Sequence, residues 1–401
     1  MAPQSGLDPA PLAGMRVIDL GQVLASPFAS YLLGVLGAEV IKVEPPEGEW
    51  LRLATGGGLG FAAQNAGKQM VAIDVSTDAG AAIVRRMASD ADVFVEGFAP
   101  GVADRLGVGF DAISTVNDRI VYGSLSAFGD SGPYANRPGF DHVVQAVSGI
   151  MPATGFVDSP PTKVGSPYVD YGSGMLLAFA LLAGILERNR TERAVRVDVT
   201  MLDAALMLNI GAVVRAAAGA GDPPRTGNDA FSGAAASGAF ETADGLLMVA
   251  ANKVSHFVRF CDELGLDSLA DDTSLAMPGA DTEVVDAARA RMSAVLMTDT
   301  AVAWERRLVA RRVPAAAVRS VSEVVGEGHA EARGLLQAPS DGSSSALLPG
   351  AGIAIDGAMP GARGQANGLG ADTQAVLGHL GYSPGEIDDL VDQGVVVTSG
   401  R

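Results

Sequence analysis

The sequence predicts an α/β protein with more than one domain. Between about residues 15 and 200, short β-branched segments alternate with Ala- and Leu-rich helical segments, as in strand-helix-strand units of a parallel sheet. The 401 residues exceed the roughly 250–300 at which a single hydrophobic core stops growing. Hydrophobic residues make up 48% of the chain and charged residues 18%, so a packed core is expected and disorder is not.

Five segments of the N-terminal half are predicted strands, because each combines β-branched residues with a turn or helical segment on both sides. They are Met15–Leu20, Glu39–Glu44, Ala91–Phe98, Arg119–Leu125 and Val195–Leu202. Before the third strand, the segment Asp78–Ala88 places Ile83, Val84 and Met87 on one face. This spacing predicts an amphipathic helix that covers the sheet.

A Gly-, Ala- and Pro-rich segment, Ala218–Ser237, is predicted to be a linker between two domains. The smaller domain should contain one β-hairpin, Phe240–Ala251, and several helices, and a last helix is expected around Pro384–Gln393. The expected division is a large-domain part over 1–200, a linker helix and connection over 201–225, a small domain over 226–325, and a final part over 326–401.

Composition limits the ligands and the compartment. The chain carries 28 Lys and Arg against 46 Asp and Glu, a net charge of −18, so its overall field attracts neither nucleic acid nor an anionic membrane. Any polyanionic ligand therefore needs a local basic pocket. The single cysteine, Cys261, forms no internal disulfide, and Cys and His lack the spacing of a metal site. We expect a cytoplasmic protein without a metal.

Neither a membrane span nor a signal peptide is predicted. The longest apolar stretch, Met175–Leu186, has twelve residues, fewer than the ~18–20 that a membrane helix requires, and is expected to form a buried helix. The N-terminus lacks a basic segment followed by an apolar run.

One carboxylate stands in an unusual setting. Asp170 is predicted to end an extended segment, directly before a Gly-rich turn and the apolar helix. Free amides at a helix start favour an anion, so this side chain should be ionised at neutral pH, and Gly172 and Gly174 should let a bulky substrate approach. Such a carboxylate can attack a thioester and form a mixed anhydride. The alternative is that Asp170 only caps the helix.

The ordered segments together resemble the family III CoA-transferases, which have the α-methylacyl-CoA racemases as a sister branch. The resemblance runs from PLAGMRVIDLGQVLASPFASYLLGVLGAEVIKVEPPEGEWLR through NAGKQMVAIDV, DVFVEGFAPGVADRLGVGF, RPGFDHVVQAVSGIM and VDYGSGM to LGYSPGEIDDLV. It implies an open Rossmann-like large domain, to which the C-terminal part returns, and an inserted smaller α+β domain. It also implies an interlocked homodimer.

The resemblance implies transfer of CoA from an acyl-CoA to a carboxylic acid, without a permanently bound cofactor. Asp170 matches the aspartate that accepts the acyl group, through aspartyl anhydride and aspartyl-CoA thioester intermediates. The CoA phosphates require cations. Candidate CoA-binding residues are the basic residues of the resembling segments and three apolar residues of segments that line the CoA channel in the family: Lys42, Arg52, Lys68, Arg105, Arg137, Val23, Ala25 and Phe98.

Departures from the family pattern narrow the expected substrates and the expected reaction. Leu24 and Pro45 replace a Gln and an Arg of the formyl-CoA branch, which argues against oxalate or formate as substrate. A racemase needs a His where this chain has Phe140, and His142 lies two positions later. Transfer is therefore favoured over two alternatives, racemisation of a 2-methylacyl-CoA by α-proton exchange and non-catalytic CoA binding. Ser232–Gly238 corresponds to a mobile glycine-rich loop of the family or is a loose linker.

Overall fold

The computed structural model describes residues 10–53, 59–230 and 232–399. The chain divides into two compact units. The first contains the described residues up to 150, 163–219 and those from 328 onward, and the second contains 151–162 and 220–327. The predicted small-domain range 226–325 lies inside the second unit, and the segment 201–217 forms two helices of the first. The first nine residues, which the signal-peptide prediction concerns, lie outside the described ranges.

A seven-stranded sheet forms the centre of the first unit. Its strands are β1 (Arg16–Leu20), β2 (Glu39–Glu44), β3 (Gln69–Ile73), β4 (Val93–Glu96), β5 (Val121–Ser126), β6 (Val195–Thr200) and β12 (Val396–Val397). The order is β12-β3-β2-β1-β4-β5-β6, and all neighbours are parallel except β12 and β3. The α/β prediction and the five predicted strands are therefore confirmed, with the predicted ends for β2 and shifted ends for the other four. Strands β3 and β12 are not among the predicted strands.

Helices pack on the sheet around two separate hydrophobic cores. Along β1, Val17 belongs to one core and Ile18 to the other, because successive side chains of a strand point to opposite faces. The helices of this unit are α1 (Ala25–Val35), α2 (Trp50–Leu53), α3 (Leu59–Asn65), α4 (Asp78–Ala88), α5 (Val102–Arg105), α6 (Phe110–Val116), α7 (Asp141–Val147), α9 (Tyr168–Thr191), α10 (Met201–Leu208), α11 (Ile210–Ala217), α17 (His329–Ala332), α18 (Thr373–His379) and α19 (Pro384–Asp392), while α8 (Ile150–Ala153) lies at a unit boundary.

Two predicted helices are confirmed, and their ends have clear local causes. The Thr77 hydroxyl accepts a hydrogen bond from the Gly80 amide and caps α4, whose predicted inner face is buried. Helix α19 begins with a capping box in which Ser383 and Glu386 accept each other's backbone amides.

Helix α9 is 24 residues long and apolar enough to meet the length and composition criteria of a membrane span, with 44% of its most apolar window buried. It packs against α1, β5 and β6. A β-carbon at Gly184 would lie 2.7 Å from Val121, so the helix approaches the sheet very closely. The other side exposes Met175, Phe179 and Leu186. The prediction of a buried helix is therefore correct for one face only.

The second unit contains an antiparallel sheet of order β7-β8-β9 and its own hydrophobic core. The predicted hairpin is confirmed as β7 and β8. The elements are β7 (Ser237–Glu241), β8 (Leu246–Ala250), β9 (Ala315–Ala317), α12 (Val254–Leu264), α13 (Asp267–Ala270), a 3₁₀-helix (Thr273–Ala276), α14 (Thr282–Leu296), α15 (Ala301–Ala310) and α16 (Val321–Gly326). A two-stranded ribbon, β10 (Leu336–Gln337) and β11 (Leu348–Pro349), belongs to the first unit.

The segment Ser232–Gly238 is anchored in the second unit. Ala234, Ala235 and Ala236 are buried, and the Ser237 hydroxyl donates to Asn252 Oδ1 at 2.6 Å. The interpretation of this segment as a loose linker is therefore wrong, because its small side chains fill a core.

Candidate active site

The candidate site lies at the carboxyl edge of the parallel sheet, where ligands bind in open α/β folds. The loop Gly21–Ala25 connects β1 to α1 at this edge. A β-carbon at Gly174 would lie 2.6 Å from the Ala25 carbonyl oxygen, and one at Gly97 would lie 2.7 Å from Ser26 Oγ. The start of α1 therefore contacts both α9 and the segment that follows β4.

Asp170 is the third residue of α9, which begins at Tyr168. The prediction that Asp170 ends an extended segment is therefore wrong. The backbone amides of Val169 and Asp170 donate to Asp141 Oδ2 at 2.8 and 3.2 Å. Asp141 thus satisfies the first amides of the helix, and the interpretation of Asp170 as the helix cap is wrong as well.

The protonation of Asp170 differs from the sequence expectation. Burial, together with the negative charge of Asp141, raises the pKa of Asp170 to about 7. The amides expected to stabilise its charge already serve Asp141. Near pH 7 only about half of the Asp170 side chains are therefore ionised. In the described part of the chain the Asp170 carboxylate accepts no hydrogen bond, so its oxygens are free to react.

Asp141 is held in place by a second residue. Gln145 Nε2 donates to Asp141 Oδ1 at 2.6 Å, and Gln145 Oε1 accepts the Val164 amide at 2.8 Å. Gln145 is fully buried, so both ends of its amide group are satisfied inside the protein. The chain Gln145–Asp141 therefore fixes the first turn of α9, on which Asp170 lies.

The two glycines near Asp170 serve packing. A β-carbon at Gly172 would lie 2.7 Å from Leu208 Cδ1, and Gly174 faces Ala25 and Phe28. The expectation that these positions leave room for substrate is therefore wrong. Beside them, the Tyr171 ring meets the Phe28 ring edge-on at 5.1 Å, which gives Asp170 an aromatic neighbour on its own helix.

Two of the predicted CoA-binding cations lie in the protein interior. Lys68 is 2% exposed, and its Nζ, which has three N–H groups, lies 2.8–2.9 Å from acceptor oxygens of Asp19, Pro27, Ser30 and Asn65. Lys42 is 0% exposed and pairs with Glu49 at 3.0 Å. Both ammonium groups are thus committed to protein partners, and neither faces a phosphate site in this structure.

Arg52 also has a protein partner. Its guanidinium forms two hydrogen bonds with the buried Glu44 carboxylate, at 2.7 and 2.8 Å, and lies over the Phe61 ring. This paired arrangement removes Arg52 from the candidate phosphate ligands.

Val23 and Ala25 lie on the loop beside α9. Val23 has a φ of 66°, in the left-handed region that a β-branched residue rarely adopts. Ala25 is buried against Gly174. Such backbone strain persists only where the surroundings impose it, and it costs about 1–3 kcal/mol.

A cavity of about 450 Å³ lies at the carboxyl ends of β4, β5 and β6, and of the remaining three candidates only Phe98 lines it. Phe98 and Tyr134 line it, and the Arg137 guanidinium lies 4.3 Å from the Tyr134 ring centre. Arg105 is exposed at the end of α5, whose preceding residues Ala103 and Asp104 line the cavity. Within the described ranges Arg105 forms no ion pair. The structure thus places Phe98 in the cavity wall, and it places Arg105 and Arg137 next to residues that line the cavity.

The interior of this cavity is acidic. Arg196 contacts two of its carboxylates, Asp198 at 2.8 Å and Asp130 at 3.8 Å. The carboxylates of the lining belong to Glu96, Asp104, Asp130, Asp198 and Asp203. Phosphate groups are therefore disfavoured inside this cavity. Among the described residues no three His, Cys, Asp or Glu side chains are grouped for a metal ion.

The position of the racemase base carries an aromatic ring. Phe140 is exposed and precedes α7, and the His142 ring stacks parallel to it at 6.5 Å. His142 is exposed on the surface of α7. Among the described residues no hydrogen bond or ion pair joins His142 to Asp170 or Asp141, so the residues that a proton-exchange mechanism would couple are not coupled here.

Comparison with known proteins gives consistent results. The sequence profile of the family described as CoA-transferase family III matches residues 12–373. The succinate–glutarate CoA-transferase of Agrobacterium fabrum is 32% identical over 342 residues, 81% of this chain and 84% of that protein. A probable fatty acyl-CoA transferase of Mycobacterium tuberculosis is 34% identical over 331 residues, 79% of this chain and 84% of that protein. A CAIB/BAIF family protein from Brucella suis superposes with a TM-score of 0.83 at 27% identity, covering 92% of this chain and 99% of that one.

Proposed function

Because the chain belongs to the family III CoA-transferases, we propose that it moves CoA from an acyl-CoA donor to a carboxylic acid through covalent intermediates on Asp170. The observation that supports this role most strongly is the Asp170 carboxylate, which is partly buried, has a raised pKa and has no described hydrogen-bond donor. A desolvated carboxylate of raised pKa is a stronger nucleophile than one that is solvated or salt-bridged.

The reaction proceeds through four acyl exchanges. An Asp170 oxygen attacks the thioester carbonyl, the C–S bond breaks, and an aspartyl-acyl anhydride and CoA thiolate form. The thiolate attacks the aspartyl carbonyl, which releases the donor acid and leaves an aspartyl-CoA thioester. The acceptor carboxylate displaces CoA to form a second anhydride. The thiolate then attacks the acceptor carbonyl, which gives the new acyl-CoA and restores the Asp170 carboxylate.

CoA binding divides between two regions in this proposal. Phe98 and Tyr134 offer aromatic surfaces for the adenine, while Arg105 and Arg137 at the cavity rim bind the phosphates. Val23 and Ala25 line the approach of the pantetheine arm to Asp170. Relatives named for succinate, glutarate or oxalate leave the acid open, and the departures at Leu24 and Pro45 argue against oxalate and formate.

Chemical trapping tests the proposal. Incubation with an acyl-CoA followed by hydroxylamine should convert the aspartyl-CoA thioester to a hydroxamate, and peptide mass spectrometry should locate it at Asp170. The same treatment without acyl-CoA is the control. A label on a different residue during measured turnover would refute the assignment. Solvent deuterium at the α-carbon of a 2-methylacyl-CoA, without an acceptor acid, would instead indicate a racemase.

We also propose an interlocked homodimer with an inserted small domain, in the cytoplasm and without nucleic-acid or membrane partners. Exposed Met175, Phe179 and Leu186 follow one side of α9, and α11 has no buried residue, although Ile210 and Val214 are apolar. Apolar surface of this kind is typical of an interface. Sedimentation should give twice the chain mass, and Phe179→Asp should reduce both the dimer fraction and the activity. An active monomer would contradict the proposal.

A further inference from the structure

A group of buried charges lies directly beneath the loop of the candidate site. This charged cluster consists of Asp19, Lys42, Glu49 and Lys68, all at most 3% exposed. Lys68 Nζ lies 2.9 Å from Asp19 Oδ2, and Lys42 Nζ lies 3.0 Å from Glu49 Oε2. Burying four charges is costly unless each is paired and hydrogen-bonded. Stability alone therefore does not explain why these four charged groups are buried together.

The cluster holds both ends of the segment 21–27, which consists of the loop and the first residues of α1. Asp19 Oδ1 accepts the Gly21 amide at 2.8 Å, and Lys42 Nζ donates to the Gly21 carbonyl. At the other end Lys68 Nζ donates to the Pro27 carbonyl at 2.8 Å. These contacts come from β1, β2 and the residue before β3, so three neighbouring strands fix one loop.

Ser30 bridges Asp19, which holds the Gly21 end of the segment, and Lys68, which holds the Pro27 end. Its hydroxyl donates to Asp19 Oδ2 at 2.6 Å and lies 2.8 Å from Lys68 Nζ, which donates to it. Between the two fixed ends lies the left-handed Val23, and Ala25 presses against Gly174 of the Asp170 helix. The strained geometry and the close contact with α9 thus depend on the same anchors.

We propose that the charged cluster positions the segment 21–27, the loop with the first residues of α1, against the Asp170 helix and thereby sets the geometry of acyl transfer without contacting CoA. This inference rests on the proposed function. Asp19, Lys42 and Lys68 are then positioning residues, and two cations that the sequence assigned to CoA phosphates act through backbone carbonyls. A displacement of about 1 Å between reacting groups costs on the order of 100-fold in rate, so small changes of the loop should be measurable.

The electrostatics favour the charged form of Asp19, whereas burial raises the pKa of Glu49 and so works against its charge. Burial alone would raise the pKa of Asp19, but the charges of Lys68 and Lys42 and the Ser30 hydrogen bond lower it. Burial lowers the pKa of Lys68 to about 8, against the opposing effect of Asp19. The other charged groups near Lys68 are Lys42 and Glu49.

Substitution of Ser30 by Ala tests the proposal without changing any charge of the cluster. Ser30→Ala should lower kcat about tenfold and change the KM for acyl-CoA much less, because the loop shifts whereas the phosphate contacts proposed for Arg105 and Arg137 remain. The second measurement compares CoA with dephospho-CoA, which lacks the 3′-phosphate. Positioning predicts the same preference for CoA thioesters in Ser30→Ala and wild type, whereas a direct phosphate contact predicts a reduced preference.

Two further variants complete the experiment. Thr373→Ala removes another fully buried hydroxyl, which accepts the Ala72 amide at 3.0 Å, and should leave kcat unchanged. The double variant Asp19→Asn, Lys68→Met removes a charge pair together and should lower kcat at least as much as Ser30→Ala. Unchanged kcat in Ser30→Ala, or a lost preference for the 3′-phosphate, would overturn the inference. Absence of transfer in the wild type would instead refute the proposed function.

Discussion

Replacing Asp170 by Asn is expected to abolish CoA transfer and to stabilise the fold at pH 8. An amide cannot attack a thioester, so the rate should fall at least about a thousandfold. The stability gain follows from the pKa of Asp170, which is about 7 in the fold and 3.8 in an unperturbed chain. The unfolded chain loses this proton from pH 4 upward and the folded protein only near 7. The free energy of unfolding therefore falls as pH rises between these values, by about 4 kcal/mol at most.

Denaturant unfolding at two pH values measures the stability change. The gain from Asp170→Asn should be largest at pH 8 and should shrink by more than half at pH 5, where the folded wild type keeps its proton. Asp111→Asn is a matched control: Asp111 lies exposed in the first turn of α6, so the change should leave activity unaffected and lower stability by at most about 1 kcal/mol. Full activity of Asp170→Asn would exclude Asp170 as nucleophile.

The second large effect concerns the pH dependence of the rate. Since the attacking group must be ionised, kcat/KM of the wild type should rise about tenfold per pH unit below pH 7 and level off above it. Asp141→Asn removes the neighbouring negative charge and should move the rising limb of this pH profile to lower pH. The shift is partial, because burial is the larger cause of the raised pKa and persists in the variant. Asn retains an oxygen that accepts the amides of Val169 and Asp170.

Two acceptor acids with different pKa values separate this effect from ionisation of the acceptor. A limb that belongs to Asp170 stays at one pH for both acids, whereas a limb that belongs to the acceptor follows its pKa. Asp111→Asn should again match the wild type. A limb that is unmoved, or that moves upward, in Asp141→Asn would show that the two carboxylates are not coupled.

Local patterns were sufficient for five of the seven strands of the large sheet and for several helices, but not for the identity of the candidate nucleophile. The spacing of apolar residues predicts α4 and its buried face, because a helix that covers a sheet must bury one side. The two-residue β12 has no such pattern, since its pairing with β3 joins residues more than 300 positions apart. The VDYGSGM segment identifies Asp170 only through its resemblance to a family.

The surroundings of the site depend on contacts between distant segments. Asp141 lies 29 positions before the Asp170 amide that it accepts, and no local capping pattern spans such an interval. Lys68 meets Asp19 across 49 positions. A lysine in a sequence is expected at the surface, so its burial in an ion pair follows from the register of β1, β2 and β3 and not from its neighbours.

Close glycine contacts hold α9 against the sheet at a point far from Asp170. Gly184 approaches Val121 of the sheet, and Gly123 of the sheet approaches Leu181 in the same way. Gly184 lies 14 residues from Asp170, or about 21 Å along the helix axis. Because a helix moves nearly as a rigid body, a side chain added at Gly184 would tilt α9 and displace its N-terminal end, where Asp170 lies. A substitution at Gly184, inside the core, would therefore change the position and the reactivity of Asp170 at the other end of the helix.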